Sequence, residues 1–193
     1  VFIISSFLIS IPLAVYYAYA PVFLENTQFE NPAFISSFGQ MSEALFILVL
    51  PLLFPILGVK RILLIGMAAW VLRYILFALG AEDTVVWMII SGVVLHGICY
   101  DFFFVTGQLY TDHVAPRHLR ASAQGLIALL TYGAGMYVGN IAFPQVADVF
   151  AKTPGVIPWQ PFWISFAAMA GVIMIGFAIA FRDQVRLSAE EVA

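Results

Sequence analysis

Glu43 and Asp101 are the two acids, and Arg73 the one base, that fall inside long apolar runs of this 193-residue chain. An ionisable side chain at membrane depth is costly unless it faces a bundle interior or a water-filled cleft, so the three point to a solute pathway or a charge lock. Gln40 lies three residues before Glu43, and a helix would present amide and carboxylate on one face, roughly 6 to 10 Å below its outer end at about 1.5 Å per residue. Such a pair suits ligand hydroxyls or ring nitrogens through matched donors and acceptors; an interhelical hydrogen-bond clamp is the structural alternative.

The run from Gly92, GVVLHGICYDFFFVTGQLY, sets His96 and Tyr100 four apart on one face, with Asp101 rotated by about 100° onto its flank. All three could line a watery cleft. Asp101 could equally be a structural acid that caps a buried donor or pairs with Arg73. A dry cleft favours the neutral acid and an arginine partner the carboxylate, and the sequence leaves both open. Arg73, in Trp70-Val71-Leu72-Arg73-Tyr74, is too far from either helix end to snorkel and is expected to pair with an acid or with helix carbonyls in a structural or gating role. Tyr16 and Tyr17 offer stacking rings with hydroxyl handles, for a cleft or for ordinary packing.

The elements that hold these groups follow from hydropathy. The chain is 63% hydrophobic and 10% charged, and its mean hydropathy is +0.99. Six segments, 1–24, 36–57, 62–80, 86–109, 122–143 and 160–181, are long and apolar enough for a hydrocarbon core of about 30 Å. Backbone groups in lipid must be paired within their own segment, so the expected fold is an all-α membrane protein of six transmembrane helices. One bundle would cover 1–181, with a cytoplasmic tail at 182–193. Pro12, Pro51 and Pro55 predict bent helices, and Gly58-Val59-Lys60-Arg61 predicts a turn tight enough to make its flanking helices antiparallel neighbours. Gly135 and Gly139 form a close-packing pair. Trp87 and Trp159, near outer helix ends, read as interfacial anchors.

With the first end inside, the cytoplasmic segments carry Lys60, Arg61, Arg117, Arg120, Arg182 and Arg186, whereas the outer segments carry only Lys152 beside Glu25, Glu30, Glu82, Asp83 and Asp148. This asymmetry fits an even number of spans with both ends cytoplasmic.

Short connections leave no room for a soluble domain, and a net charge of -3 offers no basic patch for nucleic acid. His96, His113 and His118 have no metal-site spacing with Cys or carboxylate partners. Asp112 and His113 fall in a cytoplasmic connection, where solvation is the expected role. There is no HExxH, no glycine-rich phosphate cradle and no local pattern of an activated nucleophile, so neither cofactor nor metal is implied and an enzyme is not expected. An intramembrane hydrolase using Glu43 and Asp101 is the enzymatic alternative. Cys99 is the single cysteine and has no intrachain partner. The chain starts without Met inside an apolar run, and the expectation is that it belongs to something longer.

On these residues the chain resembles a known family. GQMSEALFILVLPLLFPILGVKRILLIGMAAWVLRYILFALG, followed by GVVLHGICYDFFFVTGQLYTDHVAPRHLRASAQGLIALLTYGAGMYVG, is similar to the C-terminal half of the nucleoside:proton symporters of the major facilitator superfamily. The likeness covers roughly residues 38–139. It implies one half of a twelve-helix transporter, a missing N-terminal six-helix half as partner, and an inner-membrane permease that moves nucleosides with protons. Gln40 and Glu43 would contact the nucleoside, His96 would stand where tyrosine is common, Tyr100 would stack on the base, and Asp101 would occupy the acidic position of the motif. Tyr17 joins this substrate-binding set, and Asp101 and Glu43 are the proton-coupling candidates. Arg73 and Arg120 carry structural or gating roles.

Two departures stand out. Tyr16-Tyr17-Ala18-Tyr19-Ala20-Pro21 occupies a stretch where the family pattern supplies amides, and His96 introduces a group that titrates near neutrality. A modified nucleoside, another polyol-like solute or altered proton coupling are the alternatives these changes open. A permease for another small polar solute and a non-transporting membrane sensor compete with the leading reading.

Overall fold

The computed structural model of the protein describes residues 1–27, 29–151 and 156–182. Lys152, Pro154, Gly155 and Arg186, together with residues 183–193 of the expected tail, lie outside the described residues.

Helix α1 spans Phe2–Asn26, α2 Pro32–Ala81, α3 Val86–Val94, α4 His96–Tyr100, α5 Thr106–Val114, α6 Arg120–Ala128, α7 Met136–Phe150 and α8 Trp159–Ala180. A π-helical turn at Asp101–Val105 joins α4 to α5, and another at Leu129–Gly135 joins α6 to α7. Among the described residues there is no strand. Counted as continuous helical runs, five are long and apolar enough to cross a membrane: Phe2–Asn26, Pro32–Ala81, Val86–Val114, Arg117–Phe150 and Trp159–Ala180.

The number falls from six expected segments to five runs because 36–57 and 62–80 are fused into α2. The interruption is a single residue, Gly58, with φ 70 and ψ 165. Only glycine reaches this backbone conformation without a side-chain clash, so one residue suffices to turn the chain. Its effect is visible in the neighbours of each arm. Ser42 Oγ accepts a bond from Gly97 N and the rings of Phe46 and Phe102 lie 5.8 Å apart, so numbers rise together. In the second arm Gly66 abuts Phe102, Phe77 abuts Gly92 and Gly80 abuts Ile89, so they run in opposite senses. The two arms are therefore antiparallel.

Local chemistry fixes the ends. Asn31 caps α2 by accepting from Phe34 N at 3.0 Å, with Pro32 in the first turn where its missing N–H costs nothing. Lys60 Nζ donates to Ala178 O at 2.8 Å and Phe181 O at 2.6 Å, tying the turn after Gly58 to the last turn of α8. At this same end Phe2, Tyr110, Ala115, Ile127 and Phe181 line one apolar cavity of about 620 Å³. The start of α1, the α5–α6 connection, the Gly58 turn and the end of α8 thus share one side of the bundle.

Apolar side chains gain little by leaving lipid for protein, so the bundle relies on close packing and interhelical hydrogen bonds. Tyr74 stacks on Trp163 at 5.6 Å and 11°, and its hydroxyl donates to Pro12 O at 2.6 Å, joining α2 to α8 and α1. Gly135 and Gly139 meet Ser10 and Ala14 of α1, the close contact expected of that glycine pair. Trp87 is 62% exposed, as an anchor would be, whereas Trp159 packs on Phe23 and Trp163. The two largest boundary shifts are outward: the fourth segment extends to Val114, and α7 continues through Pro144 to Phe150. Pro144 removes one backbone bond, but buried Phe143 and Ala147 hold the turns on either side of it.

Candidate functional site

The site forms where the first arm of α2 meets the break between α3 and α4. Leu95, with ψ -7, interrupts the helix immediately before His96. Ser42 stitches the break: its Oγ accepts from Gly97 N at 2.9 Å and lies 2.6 Å from Val94 O and 3.0 Å from Gly39 O, either of which takes its proton. Gly97 permits this approach. A Cβ there would stand 2.5 Å from Ser42 C and 2.6 Å from Glu43 N.

That contact sets Glu43 beside His96, with Oε2 3.5 Å from Nε2. The histidine side chain is 6% exposed and the glutamate 34%, so the carboxylate faces outward from a buried imidazole. The His96 ring lies 5.1 Å from Tyr16 at 21°, meets Tyr17 edge-on at 6.0 Å and 78°, and lies 5.7 Å from Tyr100. Its Nδ1 is buried without a hydrogen-bond partner. Tyr16, Tyr17, Ala20, Pro21, Ser36, Gln40 and His96 line a recess of about 110 Å³. Aromatic walls with the Gln40 amide, the Ser36 hydroxyl, two phenol hydroxyls and a carboxylate at the rim suit a flat, polar-edged solute.

Arg73 sits behind this wall. It is fully buried, its Nε donates to Gly92 O at 3.0 Å, and its Cζ lies 4.0 Å over the Tyr16 ring and 4.9 Å from the Trp70 ring. The expected helix carbonyl is present, and two aromatic faces accompany it. Its two terminal nitrogens have no hydrogen-bond partner. Asp101 is also fully buried, and neither carboxylate oxygen is hydrogen-bonded, so no bond joins it to Arg73. It opens the first π-helical turn, where its backbone carbonyl accepts from Thr106 Oγ1 at 3.1 Å. Arg120 is remote from the recess; its Nη1 meets Asp112 Oδ2 at 3.2 Å across the α5–α6 connection, beside a cavity of about 470 Å³ that Gln108 and Gln124 also line.

Residues 1–186 match the family described as Nucleoside H+ symporter. The chain belongs to that family. It is 35% identical over 190 residues to YegT of Escherichia coli (strain K12), covering 95% of this chain and 45% of YegT. Nucleoside permease NupG of the same organism is 31% identical over 165 residues, 84% of this chain and 39% of NupG. A crystal structure of nucleoside transporter NupG, in an aspartate-to-alanine variant, superposes with a TM-score of 0.83 at 28% identity, covering 94% of this chain and 48% of that one. The chain spans about half the length of the relatives it matches, or somewhat less. Membership places this chain in a family of symporters, and its five long apolar helical runs make it an all-α, multi-span membrane bundle.

Of the residues expected to act, the symporter-family fold brings Tyr17, Gln40, Glu43, His96 and Tyr100 to one recess or its rim. Asp101 follows Tyr100 directly but is not a lining residue. Two participants were not in the expected set. Tyr132 OH lies 2.7 Å from Tyr100 OH, linking α4 to the second π-helical turn. Tyr16, open to cleft or core in the sequence, is the ring that touches both Arg73 and His96. Tyr132 stands in a segment whose glycines signal packing, and no spacing rule separates it from an ordinary aromatic.

Proposed function

We propose that the protein of which this chain is a part takes up a nucleoside together with a proton across the inner membrane, and that this chain supplies the second six-helix half. The observation that carries the reading is the juxtaposition at one recess of Gln40, Glu43 and His96 with Tyr16, Tyr17 and Tyr100, in a chain of the nucleoside H+ symporter family. A base would stack on the tyrosine rings while amide and carboxylate match its donors and acceptors or the sugar hydroxyls. Glu43 and Asp101 are the acids available to take the proton. Arg120 and Asp112, at one end of the bundle, are placed to gate the cytoplasmic mouth.

Six crossings account for α2. Fifty residues of helix would extend about 75 Å, more than twice the hydrocarbon thickness of about 30 Å, so each antiparallel arm is taken as one span. With six spans, both chain ends lie on the side that carries Lys60, Arg61, Arg117, Arg120 and Arg182, which is assigned to the cytoplasm. The missing partner is an N-terminal six-helix half, and protonation of an acid at the cleft biases which mouth is open.

The test is uptake of a radiolabelled nucleoside panel into proteoliposomes that contain the full-length protein. Accumulation above equilibrium under an inward proton gradient, abolished by a protonophore, is expected. Failure to accumulate any nucleoside removes the substrate assignment.

A further inference from the structure

The histidine of the recess has a property that its place in the sequence did not reveal. Its two nitrogens are in opposite situations: Nε2 faces the Glu43 carboxylate at 3.5 Å, and Nδ1 is buried with no partner at all. An imidazole with one proton satisfies this environment when the proton is on Nε2, because the bare Nδ1 then buries only a lone pair. An imidazolium would bury an unpaired N–H at Nδ1. The ring also stacks on Tyr16, the same ring that carries the fully buried Arg73 cation at 4.0 Å. A second positive charge would stand one aromatic ring away from the first.

The groups that face His96 are Glu43 from the first arm of α2, Tyr16 and Tyr17 from α1, and Tyr100 from its own helix, with Arg73 behind Tyr16. Glu43 is the one anion among them, and it is the more exposed member of the pair. The backbone beneath is held independently by the Ser42 bond to Gly97 N. The imidazole is therefore built in as a fixed donor beneath a more exposed carboxylate.

We propose that His96 is a positioning residue: a permanently neutral imidazole whose Nε2–H donates to Glu43 and aims the carboxylate at solute, so that it does not itself carry the transported proton. This deepens the nucleoside-symport reading and rests on it. When Glu43 is protonated, the oxygen facing His96 ceases to be a charged acceptor and the couple relaxes. The separation of 3.5 Å, longer than the usual N–H···O distance of about 2.9 Å, leaves room for the couple to tighten as solute binds. The histidine thereby does the work of an uncharged donor such as a phenol or a primary amide.

The experiment has two arms, both on the full-length protein. In the first, His96→Gln, His96→Tyr and His96→Phe are compared in proteoliposome uptake across pH. Gln and Tyr keep a donor, and are expected to hold KM within about threefold and to leave the pH profile in place. Phe removes the donor and is expected to raise KM by about tenfold, the scale of one lost hydrogen bond to a charged group, with a smaller change in kcat. If Gln, Tyr and Phe all abolish the pH dependence of uptake, His96 is the proton carrier and the proposal is overturned.

The second arm reads imidazole 15N chemical shifts in detergent, with the His96 signal assigned by its loss in His96→Gln. A neutral ring protonated at Nε2 is expected from about pH 5 to pH 8, the window in which a free histidine titrates. An imidazolium anywhere in that window, or a proton on Nδ1, overturns the proposal. This arm needs no transport: a wild-type protein that accumulates no nucleoside defeats the functional reading and leaves the histidine assignment to stand or fall on its spectrum. It also remains decisive if the Phe variant fails to fold.

Discussion

Replacing Gly97 by alanine should disable the recess without altering any side chain that meets solute. The added Cβ would lie 2.5 Å from Ser42 C, 2.6 Å from Ser42 O and 2.6 Å from Glu43 N. All three are backbone atoms, so no rotamer change relieves them. Carbon contacts settle near 3.5 to 4.0 Å, and the first arm of α2 must withdraw from α4 by roughly 1 Å. The Ser42–Gly97 bond then lengthens from 2.9 Å to about 3.9 Å, beyond hydrogen-bonding reach. Overpacking of this kind costs about 1–3 kcal/mol and the lost bond about 1 kcal/mol more, so Gly97→Ala should destabilise the protein by about 2–4 kcal/mol. The same displacement takes Glu43 and His96 from 3.5 Å to about 4.5 Å and uncouples them.

Two measurements on the full-length protein in detergent test the reasoning: thermal unfolding followed by a thiol-reactive dye, for which buried Cys99 provides a reporter, and nucleoside affinity by calorimetry. Gly176→Ala is the control, because a Cβ on Gly176 meets nothing within 4 Å. The control should unfold at or slightly above the wild-type temperature, whereas Gly97→Ala should unfold earlier and bind at least about tenfold more weakly. A Gly97→Ala protein that unfolds and binds like wild type would refute the claim that this contact sets the site.

Three further substitutions separate the roles of the buried groups. Asp101→Asn removes an acid that has no hydrogen-bond partner, so gradient-driven accumulation should collapse while nucleoside counterflow continues and the unfolding temperature holds or rises; retained accumulation would exclude Asp101 as the coupling acid. Arg73→Met keeps much of the volume but forfeits the bond to Gly92 O and the contacts with Tyr16 and Trp70, and a loss of about 1–3 kcal/mol is expected in the same unfolding assay. Tyr132→Phe deletes the hydroxyl that meets Tyr100 OH at 2.7 Å in a partly exposed position; stability should fall by less than about 1 kcal/mol, while uptake KM rises by about two- to fivefold.

What the sequence made legible follows from the cost of charge in lipid. Glu43, Asp101 and Arg73 announce themselves as single residues, because each must have a reason to be there. Helical spacing adds Gln40 to Glu43 and Tyr100 to His96, and both pairs are found at the recess or its rim. The number of helical runs was less legible than the number of apolar segments, since one glycine at φ 70 both ends and begins a helix without a loop to mark it. The two π-helical turns left no trace, because nothing in DFFFV or LLTYGAG distinguishes an extra residue per turn from an ordinary helix.

The sequence was silent where function depends on common residues in uncommon contacts. Ser42 is an unremarked serine until its oxygen is seen to bridge a helix break, and Tyr16 reads equally as cleft lining or ordinary packing. Periodicity gives a residue's angle on its own helix but not which neighbour fills that angle, and this is why Asp101 could be placed on the flank of the His96–Tyr100 face and yet prove fully buried. The same ignorance applies to Arg73, for which an acid was as natural a partner as a carbonyl. Its cation instead lies over Tyr16, the ring on which His96 stacks, and so a charge that looked like a lock on the bundle bears on the one titratable group that distinguishes this recess.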